Sequence, residues 1–312
     1  MKCLVTGAAG FIGSTLCEKL LGKNYSVTGI DSFTDYYSKK IKEDNLKVSL
    51  RNPFFRFVKR DILETDLKNL LKGFDFIFHQ AAQAGVRGSW GKNFGSYTRN
   101  NILGTQKLLE ALKGKRIKKF IYASSSSVYG DVDDLPITEN TLPRPVSPYG
   151  VTKLAAEHLV NLYCGNYGIP VVSLRYFSVY GPRQRPDMAF NKFIKAMLNN
   201  EQITVYGDGN QTRDFTYIDD IVRVNILAMK YGKNGEVFNV GGGSNITVKK
   251  VIRVLEGIIG LKAKVKYIEV QKGDVRHTFA DISKAKKILG YSPVVKIEYG
   301  LEKEVSWLKK QE

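Results

Sequence analysis

Cysteine and histidine are scarce in this chain, acidic residues are outnumbered, and long apolar runs are missing. The three cysteines, Cys3, Cys17 and Cys164, are too few, too widely spaced and odd in number for a disulfide framework or a zinc cluster. Each reads as a small buried apolar residue. The three histidines, His79, His158 and His277, are scattered, and no metal is assigned to them. His79 closes an apolar stretch and is expected to be a packed, hydrogen-bonded core residue. No uncharged apolar run reaches the roughly 18 residues of a membrane span. The N-terminal MKCLVTGAAG turns glycine-rich before a signal segment could form, so a cytoplasmic protein without a membrane partner is expected. Acidic side chains number 30 against 48 Lys and Arg, a formal charge of +18. Such a balance raises nucleic-acid binding first, but the densest cluster, KGKRIKK at 113–119, falls where a helix should turn into a strand and reads as a solvated loop. No nucleic-acid module is recognisable, and a basic surface equally suits a small anionic ligand.

What is present is the composition of an ordinary globular protein, 43% hydrophobic and 25% charged over 312 residues. That length leaves one large domain or two joined domains open. From Lys2 to about Phe177 short β-branched or aromatic runs alternate with segments of helical period. KCLVT, YSVTGI, FRFVKRDI, FDFIFHQA, KKFIYAS and PVVSLRYF read as strands, separated by helical stretches such as FIGSTLCEKLL, NILGTQKLLEALK and YGVTKLAAEHLVNLY. This is the pattern of an α/β fold, a doubly wound parallel sheet of Rossmann type covered on both faces. After Tyr180 the elements become shorter and more mixed, which points to a smaller C-terminal α/β substrate domain. GEVFNVGGG at 235–243 again reads as a buried strand. The expected division is therefore 1–178 with 214–243 for the first, larger domain, and 179–213 with 244–312 for the second.

Directly after the first strand comes TGAAGFIG, with Gly7, Gly10 and Gly13 leading into FIGSTLCEKLL. Between a first strand and a first helix, such glycines let the backbone approach a pyrophosphate at the positive helix end. Gly7 is assigned to the tight turn, Gly10 to the close approach and Gly13 to helix packing. A plain turn with packing glycines is the alternative. Asp31 ends the second strand, where a carboxylate can bind an adenosine ribose and would repel a 2′-phosphate, favouring NAD over NADP. It is also a common cap of a strand-to-loop turn. Asp61 and Ile62, closing the third strand, are placed to hold an adenine, or serve as a turn carboxylate and a core aliphatic.

SPYGVTK supplies Tyr149 and Lys153, four residues apart and so on one helix face. A nearby ammonium and a positive nicotinamide ring are expected to lower the tyrosine pKa enough for it to take a proton from a sugar hydroxyl. Together with SSSSVYG, LRYFSVYGPRQRPD, GDGNQTRDFTYIDD and GDVRHTFAD, these motifs resemble the extended short-chain dehydrogenases, specifically the NAD-dependent nucleotide-sugar 4-epimerases. The resemblance runs through nearly the whole chain. It implies Tyr149, Lys153 and Ser125 as the catalytic group. For the cofactor it implies Phe11, Ile12, Gln80, Ala81, Ala82 and Tyr176 beside the glycines, Asp31, Asp61, Ile62, Tyr149 and Lys153. Related dehydratases and decarboxylases carry an acid within the hydroxyl run, where this chain has Ser126 and Ser127. Reversible oxidation at C4 of a UDP-hexose through a 4-keto intermediate is then the expected reaction.

For the substrate, the resemblance implies Arg213 and Arg276 at the diphosphate and Tyr206 beside the uracil. Arg87, Ser178 and Arg185 look like the residues with which UDP-glucuronate 4-epimerases hold a C6 carboxylate, and DSFTDYY points the same way. Ala84, Ser178 and Gln271 depart from the UDP-glucose type, whereas Gly88 departs from the glucuronate type. UDP-glucuronate/UDP-galacturonate is the favoured pair, with UDP-glucose/UDP-galactose or an N-acetylhexosamine as the alternative. A dehydratase and a non-catalytic NAD-binding regulator are more distant readings. Helices at roughly 93–113 and 149–167 resemble those of a family four-helix contact, so a homodimer is expected.

Overall fold

The computed structural model describes residues 1–311. Its twelve named strands are β1 Lys2–Thr6, β2 Ser26–Asp31, β3 Phe55–Lys59, β4 Phe76–His79, β5 Lys119–Ser125, β6 Val171–Tyr176, β7 Ser178–Tyr180, β8 Gln202–Tyr206, β9 Thr212–Tyr217, β10 Glu236–Val240, β11 Asn245–Thr247 and β12 Lys264–Ile268. Eleven α-helices accompany them: α1 Phe11–Leu21, α2 Lys39–Leu50, α3 Leu67–Leu70, α4 Phe94–Tyr97, α5 Gly104–Leu112, α6 Pro148–Tyr167, α7 Ala189–Leu198, α8 Ile218–Tyr231, α9 Val248–Ile259, α10 Ser283–Leu289 and α11 Ile297–Lys309.

Seven strands form one sheet in the order β10-β6-β5-β4-β1-β2-β3, and every pairing in it is parallel. The two-residue period of a strand sends alternate side chains to opposite faces. Cys3, Val5, Phe76, Phe78, Ile121, Val172 and Leu174 face one way, into a core shared with Leu16 and Leu20 of α1 and Ile221 and Val222 of α8. Leu4, Ile77, Phe120, Tyr122 and Val171 face the other way, onto Leu108, Leu109 and Leu112 of α5 and Ala156 and Val160 of α6. The inner strands β1, β4, β5 and β6 are thus apolar on both faces, which is why they read as near-continuous hydrophobic runs, whereas the edge strand β3 keeps Arg56 and Lys59 exposed.

Residues 236–240 rejoin this sheet beside β6, as the glycine-terminated strand pattern implied. β9 does not join it. It pairs with β7 and β11 in a separate three-stranded sheet, while β8 and β12 form a two-stranded one. The expected boundary at residue 214 therefore falls inside a strand, and the chain returns to the main sheet through α8.

Where the strand order reverses, between β1 and β4, adjacent connections leave for opposite faces and open a crevice at the carboxyl ends of the strands. A cavity of about 780 Å³ lies there, reached by the glycine turn after β1, the ends of β2, β4, β5 and β6, and the start of α6.

Candidate active site

The turn after β1 is built by steric exclusion. Gly7 has φ +69°, and a Cβ on it would lie 2.9 Å from the Ala81 backbone, so only glycine lets β1 and the end of β4 close together. A Cβ on Gly13 would lie 2.0 Å from the Gly7 carbonyl oxygen, so this glycine seats α1 on its own turn. Gly10 precedes α1 and gives it no side-chain cap. Among the described residues the N–H groups of Phe11, Ile12 and Gly13 find no partner within the chain. Those unpaired donors, at the positive end of the helix dipole and lining the cavity, form a site for an anion such as a pyrophosphate.

Asp31 secures the turn from the other side. Its carboxylate accepts from the Ala9 N–H at 3.1 Å and the Phe33 N–H at 2.9 Å, so it acts as a turn cap while still lining the cavity. Asp61 caps the short turn that follows β3 and is paired with Arg99 at 2.8 Å. Asp61 and Ile62 also line the cavity, as do Gln80, Ala81 and Ala82. His79 is buried, with its ring nitrogens 2.7 Å from the Thr6 hydroxyl and 3.0 Å from that of Thr105. Burial pushes its pKa down to about 3, so it is a neutral core residue, as expected. Tyr176 reaches the cavity, but its hydroxyl is bound inward to Asn225 at 3.0 Å and Gln80 at 3.3 Å. Its part there is to hold Gln80.

Ser147 caps α6 through the Gly150 N–H at 3.1 Å, with Pro148 pre-set for the first helical position. The helix then presents Tyr149, Lys153 and Glu157 at four-residue spacing to the end of β5. The Lys153 ammonium donates to the Ala123 carbonyl at 2.5 Å and lies 4.4 Å from the centre of the Tyr122 ring. Glu157 accepts from the Ser124 hydroxyl at 2.5 Å and takes both arms of the Arg175 guanidinium, at 3.1 and 2.6 Å. Ser125 accepts from the Ser127 N–H at 3.1 Å, which fixes the serine run as a tight turn, and its hydroxyl is near enough to the Tyr149 phenol to pull its pKa down. Ser125, Ser126 and Ser127 all line the cavity.

The charges of the pair differ from the expectation. Burial pushes the Tyr149 phenol up, while the Ser125 hydroxyl and the Arg185 guanidinium pull it down, and Lys153 is not among the groups that act on it. Burial also lowers Lys153, to about 7, against the opposing charge of Glu157. The chain by itself therefore holds a neutral phenol. Lowering it is left to Ser125, Arg185 and a bound cationic ring, because the ammonium is directed at Ala123 instead of at the phenol.

The other end of the cavity is arginine-rich. Arg213 projects from β9, held by the carbonyls of Thr212, Val275 and Arg276 at 2.8, 2.6 and 3.0 Å. Asp214 beside it is buried and accepts from the Gly242 N–H at 2.7 Å and the Ala280 N–H at 3.1 Å, pinning β9 to two loops. Arg87 also lines the cavity. Its guanidinium is 3.8 Å from the centre of the Tyr206 ring and is paired with Asp274 at 2.7 Å. Stacking on Tyr206 and pairing with Asp274 hold Arg87 on the same side of the cavity as Arg213. The Arg276 side chain is exposed beside this end and is not among the residues that line the cavity, while its main chain braces Arg213. Ser178 and Arg185 do line the cavity.

Several residues escaped the sequence reading: Asp187 and Asp274 in the cavity lining, and Tyr97, Arg175 and Glu157 as supports behind it. Glu157 carried a signal, since it repeats the Tyr149–Lys153 spacing once more. Asp187 stands two residues from Arg185 in the same RQRPD motif. Tyr97 packs edge-on against Tyr149 at 6.2 Å and binds the Gly85 carbonyl at 2.7 Å, with no local signal.

A crevice that joins an uncapped glycine-turn helix to a buried Tyr, Lys and Ser defines a dinucleotide-dependent enzyme working on a hydroxyl-bearing carbon. The chain belongs to the NAD dependent epimerase/dehydratase family, which it matches over residues 3–241. The uncharacterized UDP-glucose epimerase YtcB of Bacillus subtilis strain 168 is 48% identical over 310 residues, covering 99% of this chain and 98% of its own. The UDP-glucuronate 4-epimerase of Thermodesulfobacterium geofontis is 42% identical, covering 98% of this chain and 95% of its own. A crystal structure of the UDP-glucuronic acid 4-epimerase from Bacillus cereus, in complex with UDP-glucuronic acid and NAD, superposes with a TM-score of 0.98 at 50% identity, covering 100% of both chains.

Proposed function

We propose that the protein is an NAD-dependent UDP-sugar 4-epimerase that inverts C4 through a 4-keto intermediate, with UDP-glucuronate/UDP-galacturonate the favoured pair. One observation carries the reaction type: among the described residues no free acid stands at the reacting end. The cavity carboxylates are Asp31, Asp61, Asp187 and Asp274, and each is engaged, by backbone N–H groups, Arg99, Arg185 and Arg87 respectively. The serine run offers only hydroxyls. A dehydratase would need a proton donor there for a leaving hydroxyl.

The unpaired N–H groups at the start of α1 fit a pyrophosphate, and Asp31 fits an adenosine ribose. Gln80, Ala81 and Ala82 supply the wall between them and Tyr149. When bound, NAD accepts a hydride from C4 and returns it. Under the pull of Ser125, Arg185 and a bound cationic ring, Tyr149 would lose its own proton to water; the phenolate then takes the C4 hydroxyl proton and gives it back after the keto sugar has turned. Ser125 has one O–H to give, which would steady the phenolate before proton transfer and the sugar C4 oxygen after it. Lys153 holds Ala123 and keeps positive charge beside the reaction. Arg213 and Arg87 are assigned to the diphosphate and Tyr206 to the uracil. Ser126, Ser127, Ser178 and Arg185 are assigned to the sugar. Residues 1–178 with 218–243 would carry the cofactor, and 179–217 with 244–312 the sugar nucleotide, the boundary moved from 214 to the end of β9. Exposed Leu103, Val151, Leu162 and Tyr167 beside or on α5 and α6 support a homodimer. A cytoplasmic location with no nucleic-acid partner accords with a diffusible sugar nucleotide.

The test is incubation with UDP-glucuronate, UDP-glucose and their N-acetylamino counterparts, with the C4 epimer read by NMR. Tyr149→Phe should lower turnover by about 10²- to 10⁴-fold. Stoichiometric conversion of added NAD to NADH would overturn epimerisation.

A further inference from the structure

We propose that Asp187 is a specificity-determining residue: its carboxylate already holds Arg185 in the way a substrate carboxylate would, and so keeps neutral UDP-sugars acceptable beside acidic ones. The inference rests on the UDP-sugar reading above. Arg185 donates through Nε to one Asp187 oxygen at 2.9 Å and through Nη2 to the other at 3.0 Å. Tyr36, from the loop after β2, donates to the same carboxylate at 3.2 Å. Arg185, Asp187 and Tyr36 all line the cavity, and Arg185 is close enough to lower the Tyr149 phenol. Burial presses Asp187 upward, but Arg185 and Tyr36 outweigh it and hold the carboxyl below its ordinary range. Both partners are therefore charged.

A guanidinium has five N–H groups. Two are committed to Asp187, and Nη1 has no partner among the described residues. A hexuronate carboxylate that takes this free edge meets Arg185 attractively and Asp187 repulsively, in a half-buried site where like charges a few ångströms apart cost of the order of kilocalories. A neutral hydroxymethyl group needs one hydrogen bond and leaves the internal ion pair whole. Without Asp187 the balance changes. The acidic sugar loses its repulsion, and the neutral one buries an arginine with no counter-charge.

Binding of UDP-glucuronate and UDP-glucose to the NAD-loaded protein, measured by calorimetry for wild type, Asp187→Asn and Asp187→Ser, tests this. The ratio of the glucose Kd to the glucuronate Kd should rise by roughly tenfold or more in both variants, with the same trend in kcat/KM wherever turnover persists. The ratio should collapse in Arg185→Leu. The smaller serine serves if the asparagine variant fails to fold or to load NAD. A ratio unchanged or lowered in whichever variant folds overturns the inference while leaving an active epimerase intact. A wild type that binds neither sugar overturns the UDP-sugar reading and this inference with it.

Discussion

Lys153 owes its charge to the residue one helical turn further on. Burial alone would strip the ammonium, and Glu157 opposes that loss. The other titratable groups facing Lys153 are Tyr149 on its own helix, His79 on β4 and Tyr122 on β5; His79 and Tyr122 are neutral near pH 7. With a value near 7, Lys153 loses its proton as pH rises through neutrality, so activity that needs the ammonium declines on the alkaline side. Glu157→Gln lowers the value further, and the alkaline limb of kcat should move to lower pH, which a pH–rate profile will read. The same variant leaves Arg175 buried with half its pairing removed. A loss of about 3–5 kcal/mol is expected in denaturant titration, the usual cost of breaking a buried ion pair. A merely structural role would lower stability and leave the pH profile in place.

At the scale of the element, α1 and its glycine turn separate two functions that one motif combines. A Cβ at Gly13 would strike the Gly7 carbonyl at 2.0 Å, whereas one at Gly10 comes no nearer than 3.2 Å to any atom outside its neighbours. Gly13→Ala must push the helix off its turn and should cost stability of about 1–3 kcal/mol or more, as overpacking does. Gly10→Ala should cost far less stability, yet put a methyl where the backbone meets the pyrophosphate and weaken NAD binding. Denaturation midpoints and NAD titration, run on both variants, separate the two effects. Equal loss of stability in both would contradict this division. The helix before α6 shows a contrasting case. NILGTQKLLEALK reads as one regular helix, but residues Thr98–Leu103 wind into a wider π-type turn before α5. Asn101 inside it accepts from the Gln83 N–H at 2.7 Å and donates to the Thr152 hydroxyl at 3.0 Å. Tertiary partners on the β4 loop and on α6 overrode the local period there.

Across the whole molecule, the apolar residues Val151 and Leu162 stay exposed on α6, and Leu103 just ahead of α5, on neighbouring packed segments. Burial against a second copy would remove them from water together. If the proposed homodimer uses this face, Val151→Glu with Leu162→Glu should give a monomer in sedimentation where the wild type is a dimer, with the fold retained because neither side chain is part of the core. The large positive charge has a local resolution. Lys118 pairs with Asp75 at 3.0 Å, and Lys119 donates to the Gly232 carbonyl at 2.8 Å, so the densest basic run is partly absorbed by its surroundings.

The sequence by itself determined the seven parallel strands, the glycine turn and the helix face bearing Tyr149 and Lys153. These follow from alternation, helical period and the conformations open to glycine, all of which act between neighbours in the chain. Tertiary structure alone decided which arginine meets which partner. Arg87 finds Asp274 and Tyr206 on segments more than a hundred residues away, and Tyr36 finds Asp187 across the cavity mouth. It decided the protonation of Tyr149 and Lys153 as well. Desolvation depends on everything packed around a group, and no spacing within a helix carries that information.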